Sequence, residues 1–319
     1  MDDQPSADAS PGQPATRTPA RSGAGEAWQL LRLTCAEWWN DDAFRLAASL
    51  AFYTIFSIAP LLLIAVLVAS LFFTRETAAH RIESEVQNMV GEQGAQAVRQ
   101  IIEATKGLGS SAWAVAVGVV TVIVGSTAVF GELQAALNKL WDVEVKVRRG
   151  LVRRLIADRA RSFALVLGVG FLLLVSLVIS GTLNALQDYL TGQMPGVPWL
   201  WNAGNLLTSF LVAALLFAMI YRFLPDVRLG WKDVWRGAVV TALLFAVGKS
   251  LIGLYLSHAV AAGVYGAAGS FVVLLFWIYY SSLISFFGAE FTQVYARRHG
   301  AGIQPKAHAQ RVGRKPDRV

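Results

Sequence analysis

Leu243–Val260 reads LLFAVGKSLIGLYLSHAV, and two incompatible folds can be read into it. Gly248-Lys249-Ser250 looks like the end of a phosphate-binding loop. The pattern G-x-x-x-x-G-K-[ST] needs a glycine five residues before Gly248, where Leu243 stands. The flanks are apolar on both sides, as in a helix that crosses lipid. The stretch is therefore a membrane span with one lysine, Lys249, in its middle.

The rest of the chain agrees with that reading. Of its 319 residues, 55% are hydrophobic and 15% charged, against about 25% charged in soluble domains. The apolar residues come in long blocks, and about 18 or more in a row form a candidate span. Six spans are predicted: Leu46–Phe73, Ala112–Leu133, Phe163–Asn184, Gly204–Leu224, Gly237–Leu256 and Ser270–Thr292. Each is helical, because unpaired backbone groups are costly in lipid. The fold class is all-α, a polytopic membrane bundle occupying residues 26–298. Residues 1–25 are rich in Pro, Ala, Ser and Gly and read as a disordered tail. Residues 299–319 form a second polar, basic tail.

Lysine and arginine orient the bundle. They crowd the segment before the first span, the second connection (Lys146 to Arg161), the fourth connection and the C-terminal tail. The third and fifth connections have none. Both termini are thus expected in the cytoplasm. The first connection, residues 74–111, carries four cations against five glutamates, and forms the sizeable outer element. Its Ala79, Ile82, Val86 and Met89, then Val98, Ile101 and Ile102, recur at helical spacing and predict two short amphipathic helices. Trp28, Leu31, Cys35 and Trp38, with Trp39 beside them, predict a helix at the cytoplasmic surface. The net charge of +7 follows from this asymmetry and requires no nucleic acid.

Four stretches carry a resemblance: LAASLAFYTIFSIAPLLL (Leu46–Leu63), FGELQAALNKLWDV (Phe130–Val143), YRFLPDVRLGWKDVWRGA (Tyr221–Ala238) and Val264–Arg298. Together they resemble the YihY/BrkB family of bacterial inner-membrane proteins, over about Trp38 to Arg298. The resemblance implies six spans and a multi-pass inner-membrane location. It implies no single activity, since members have been labelled ribonuclease BN, named for virulence, or suggested to transport lipids.

Charged residues inside a membrane face a bundle interior or a wet cavity. Depth places Glu132 and Glu290 near the cytoplasmic ends of their spans. Lys249 lies about 18 Å in from Gly237 at ~1.5 Å per residue. These three are expected to form a polar cluster, as a substrate site or as a packing ion pair. VFGEL (Val129–Leu133) and FFGAEF (Phe286–Phe291) echo each other, each with a glycine for close approach just before its carboxylate. Asn138, Lys139 and Trp141 are expected at the cytoplasmic interface, with Lys139 near lipid phosphates. Pro60 is a candidate hinge, and Ser57 one turn earlier could satisfy a backbone group that it frees.

The four histidines are scattered, and no nucleophile or metal-ligand spacing is present. Asp142, Asp226 and Asp233 are too dispersed to suggest a nuclease. No enzyme, cofactor or metal is expected, and the ribonuclease label is disfavoured. The leading expectation is a transporter or lipid-handling protein whose partners are membrane lipids, anionic ones at the cytoplasmic face. The alternative is a non-transporting scaffold or envelope assembly factor. A polar pocket or lateral groove containing Lys249 or Glu290 would favour the transporter.

Overall fold

The computed structural model describes residues 23–69, 74–90, 92–105, 128–146, 198–259, 269–300 and 302–312. These form helices α1 (Gly23–Asn40), α2 (Ala43–Ala69), α3 (Arg75–Val90), α4 (Glu92–Thr105), α5 (128–140), α6 (Pro198–Phe223), α7 (Trp231–Ala259) and α8 (Gly269–His299). Four short strands lie between or after them: β1 (Val143–Val145), β2 (Val227–Arg228), β3 (Gln304–Pro305) and β4 (Ala309–Arg311). The fold is mostly helical.

Among the described residues three helices are long and apolar enough to cross a membrane: α6 over Leu206–Phe223, α7 over Trp231–Ile252 and α8 over Phe271–His299. They match the fourth, fifth and sixth expected spans. The first is contained in α2, apart from residues 70–73. The second is described only from 128, and the third, 163–184, lies outside the described residues.

The three helices pack through a reciprocal motif. On α7, Gly237 and Thr241 are one turn apart; on α8, Gly288 and Thr292 are as well. A Cβ on Gly237 would fall inside the Thr292 side chain, and one on Gly288 inside Thr241. Each threonine hydroxyl turns back onto the carbonyl of its own glycine at 2.7 Å. Small residues thus let two antiparallel backbones approach closely. Tyr221 of α6 closes the junction. Its hydroxyl lies 3.0 Å from Thr241 Oγ1 and donates to the Ser285 carbonyl at 2.7 Å.

The two ends of the bundle are finished differently. At one end, α3 and α4 lie as a hairpin against α2. Ala79, Ile82 and Val86, then Val98, Ile101 and Ile102, pack on Leu62 and Val66, so the spacing in the sequence does mark two amphipathic helices. Thr74 caps α3, its hydroxyl accepting from the amide of Thr77. At the other end, β1 pairs with β4 and β2 with β3, both antiparallel. Residues 302–312, which the sequence offers only as part of a basic tail, are thereby stitched to the loops after α5 and α6.

Candidate functional site

The strand-bearing end is built around Asp226. This residue follows α6 and is 3% exposed. Asn138, in the last turn of α5, binds it twice. Its amide donates to Oδ2 at 2.9 Å, and its carbonyl accepts the Asp226 backbone N–H at 2.8 Å. Gln134, one turn earlier, donates to the same oxygen at 3.2 Å. His308 Nε2 lies 2.8 Å from Oδ1. The Lys306 ammonium donates to the Pro225 carbonyl at 2.6 Å, and its amide to that of Asp226 at 2.9 Å. Burial alone would raise the Asp226 carboxyl. The His308 and Asn138 hydrogen bonds, with the charges of His308 and Lys306, outweigh burial and hold it below its ordinary value.

Trp141 extends this core. It is 1% exposed, and its indole donates to the Ala289 carbonyl of α8 at 3.0 Å. Of the three expected interface residues, Trp141 and Asn138 are therefore buried in protein. Lys139 alone is exposed, and it pairs with Asp42 at 3.3 Å. An amphipathic signature cannot distinguish a lipid boundary from a tight junction between helix and tail.

Glu132, Lys249 and Glu290 take separate surroundings. Ser49 of α2 donates to Glu132 at 2.5 Å. Lys249 is half-buried on the flank of α7 and has no ion pair among the described residues. Gly237 opposes Thr292 and Thr241 opposes Gly288, so Glu290 is level with Val239, ten residues before Lys249. That is about 15 Å along the helix. Glu290 also turns toward α1, where Glu37 and Asp41 act on it, with Arg297 on its own helix. The depth argument left out both the facing of α8 and the presence of α1.

Glu290 is 0% exposed, as is Gln293 one turn later. No amide or cation reaches either side chain among the described residues, and the group facing the Glu290 carboxyl is that of Asp41. Trp38 Nε1, on α1 beside Phe287, has no hydrogen-bond partner among them. Together they make a polar seam between α1 and α8 that packing alone does not satisfy.

A recess of about 190 Å³ lies between α2, α5, α6 and α8. Leu50, Leu133, Ile220 and Trp277 supply apolar walls, and Ser281 and Ser282 hydroxyls. Among the described residues no charged side chain lines it, and neither Lys249 nor Glu290 does. The helix carrying Pro60 continues unbroken from Ala43 to Ala69. Ser57 donates to Tyr53 at 2.9 Å, whereas proline frees the carbonyl four residues earlier, that of Phe56.

The sequence profile of the BrkB virulence factor family matches residues 34–313. The chain belongs to this family. It is 27% identical over 256 residues to a UPF0761 membrane protein of Ralstonia nicotianae, covering 78% of this chain and 55% of that one. A UPF0761 membrane protein of Pseudomonas aeruginosa is 29% identical over 253 residues, covering 78% and 58%. One from Alteromonas mediterranea is 25% identical over 258 residues, covering 79% and 83%. The chain thus spans little more than half the length of the first two. No solved structure matches it. The relatives are named membrane proteins, and this BrkB-family chain is a membrane protein too.

Two signals in this BrkB-family chain were legible but went unused. GAVVT (Gly237–Thr241) and GAEFT (Gly288–Thr292) share a glycine and a threonine four apart, and they mark the α7–α8 crossing. The echo between VFGEL and FFGAEF has a different outcome. A Cβ on Gly288 would meet α7, whereas one on Gly131 would meet nothing within 4 Å among the described residues.

Proposed function

We propose that this protein handles lipid-type amphiphiles in a bacterial inner membrane, as a six-span bundle with both termini in the cytoplasm. The basic connections after the second and fourth expected spans support that orientation. The recess is the observation that carries the functional reading. Among the described residues its walls are apolar, its polar groups are hydroxyls, and no charged side chain lines it. Such a lining suits acyl chains and neutral ester groups better than an ion or a charged solute. It moves the reading away from an ion transporter and toward lipids. The basic second connection is explained by topology, so no RNA-binding or ribonuclease role is assigned, and the purified chain is expected to leave RNA uncut.

The test is lipid movement in reconstituted vesicles, read by dithionite bleaching of a fluorescent phospholipid. Wild-type protein is expected to accelerate exchange between leaflets. Ser281→Trp, which fills the recess, is expected to slow it about tenfold or more. Exchange no faster than in protein-free vesicles would leave the scaffold reading in its place. An active protein unaffected by Ser281→Trp would remove the recess from the path.

A further inference from the structure

A second cleft lies between α1 and the end of α8, nearer the start of α1 than the polar seam. It holds about 440 Å³ and is lined by Gln29, Arg32, Leu33 and Ala36 of α1 and Arg298 of α8. Two guanidinium groups therefore converge on one cleft that has an apolar wall. The neighbouring cations are already engaged: Arg297 pairs with Asp142, and His299 lies 2.6 Å from Glu26. Neither Arg32 nor Arg298 has an ion pair among the described residues. Among the described residues no acid lines the cleft.

Its position relative to a bilayer can be read from α1. Trp28, Arg32, Cys35 and Trp39 recur at intervals of four, three and four, which draws one line along a helix. All four are exposed, Trp28 by 70% and Trp39 by 69%. Indoles flanking an arginine on an open helix face are the pattern of the lipid–water boundary. From α8 the same level is reached independently. Its apolar run extends over Phe271–His299 and closes on Arg297, Arg298 and His299. The two helices are held together at that level by the His299–Glu26 contact and by Trp38 against Phe287. The cleft is thus a fixed feature of the interface between α1 and α8.

We propose that this cleft binds the headgroup of an anionic phospholipid, with Arg32 and Arg298 ligating its phosphate. Guanidinium groups match phosphate oxygens in geometry and keep their charge in a partly dry site. Leu33 and Ala36 meet the glycerol region and the first methylenes. With no carboxylate in the lining to receive an ammonium, zwitterionic lipids gain less. The assignment does not depend on lipid movement through the recess. Loss of headgroup binding with exchange intact, or the reverse, separates the two.

Cys35 supplies a direct test, because it is the single cysteine, is exposed, and lies one turn from Arg32. The full chain, labelled there with an environment-sensitive fluorophore, is titrated in detergent with brominated phosphatidylglycerol or brominated phosphatidylcholine. Quenching is expected at lower phosphatidylglycerol concentration, by about tenfold, and the difference is expected to vanish in the Arg32→Gln/Arg298→Gln variant. Arg228→Gln, an exposed arginine outside the cleft, is expected to keep it. Equal quenching by the two lipids in the wild-type chain would overturn the proposal, whether or not the variant folds. So would a preference that survives in a folded double variant. A preference abolished by millimolar inorganic phosphate would assign the site to a soluble anion, and would overturn the lipid assignment too.

Discussion

Asp226 and Glu290 are both carboxylates withdrawn from solvent at the strand-bearing end of the bundle, 3% and 0% exposed. Asp226 is met by Asn138, Gln134 and His308, and its neighbour Pro225 by Lys306. Glu290 faces no cation or amide of that kind; the groups acting on it from the α1 side are two more acids, Asp41 just past the helix end and Glu37. A buried charge stabilises a fold only when its partners replace the lost water. Asp226 meets that condition, and its partners come from α5 and the tail. It is a clasp. Glu290 lacks a comparable set of partners. A buried ionisable group without such a return, in an apolar helix, is a candidate for function rather than for stability.

The largest test of that contrast is Asp226→Ala. It strands the Asn138 and Gln134 amides and releases His308, so about 3 kcal/mol of stability is expected to be lost. Thermal unfolding in detergent measures the loss, and limited proteolysis should find the 302–312 tail newly cleaved. A variant that melts like the wild type, with its tail still protected, would remove the clasp from the account.

Acid should open the same clasp, with a smaller effect. The Asp226 carboxyl is held below its ordinary value in the fold. Its contribution is therefore complete above the usual aspartate value of about 4, and is lost as pH falls through the lower native value. Protease sensitivity of the tail should rise only in that acidic range. A tail released between pH 5 and 7 would point to a different group.

The fourth, fifth and sixth expected spans, which match α6, α7 and α8, were legible because each carries its signal locally, in a long apolar run. The α3–α4 hairpin was legible for the same reason, in a helical spacing of side chains. The clasp was not. It joins residues 138, 226 and 308 through strands of two and three residues, too short to show a period of two. Asp226 stood in the sequence as one of several dispersed acids. Its role depends on chain segments more than eighty residues away, which spacing cannot bring together. For Glu290 the depth was readable, because it depends only on position along α8. Its direction was not, since that depends on where α1 docks. Lys249 shows the limit most clearly. It was the most conspicuous charge in the sequence, yet the glycine–threonine register of α7 against α8 sets it ten residues from the level of Glu290.

Glu290→Gln is the finest test of the comparison, because the expected change in stability is the smallest. The substitution keeps the shape and removes the ionisable carboxyl. With no cation or amide clasping Glu290 as His308 and Asn138 clasp Asp226, stability in detergent is expected to stay within about 1 kcal/mol of wild type, or to rise slightly. Lipid exchange in the vesicle assay is expected to fall, since the ionisable group that the fold encloses has been removed. A loss as large as that of Asp226→Ala would make Glu290 a second clasp. Unchanged stability with unchanged exchange would leave the seam between α1 and α8 without a role in lipid handling. Only stability held with exchange reduced keeps the two carboxylates apart, one supporting the fold and the other working within it.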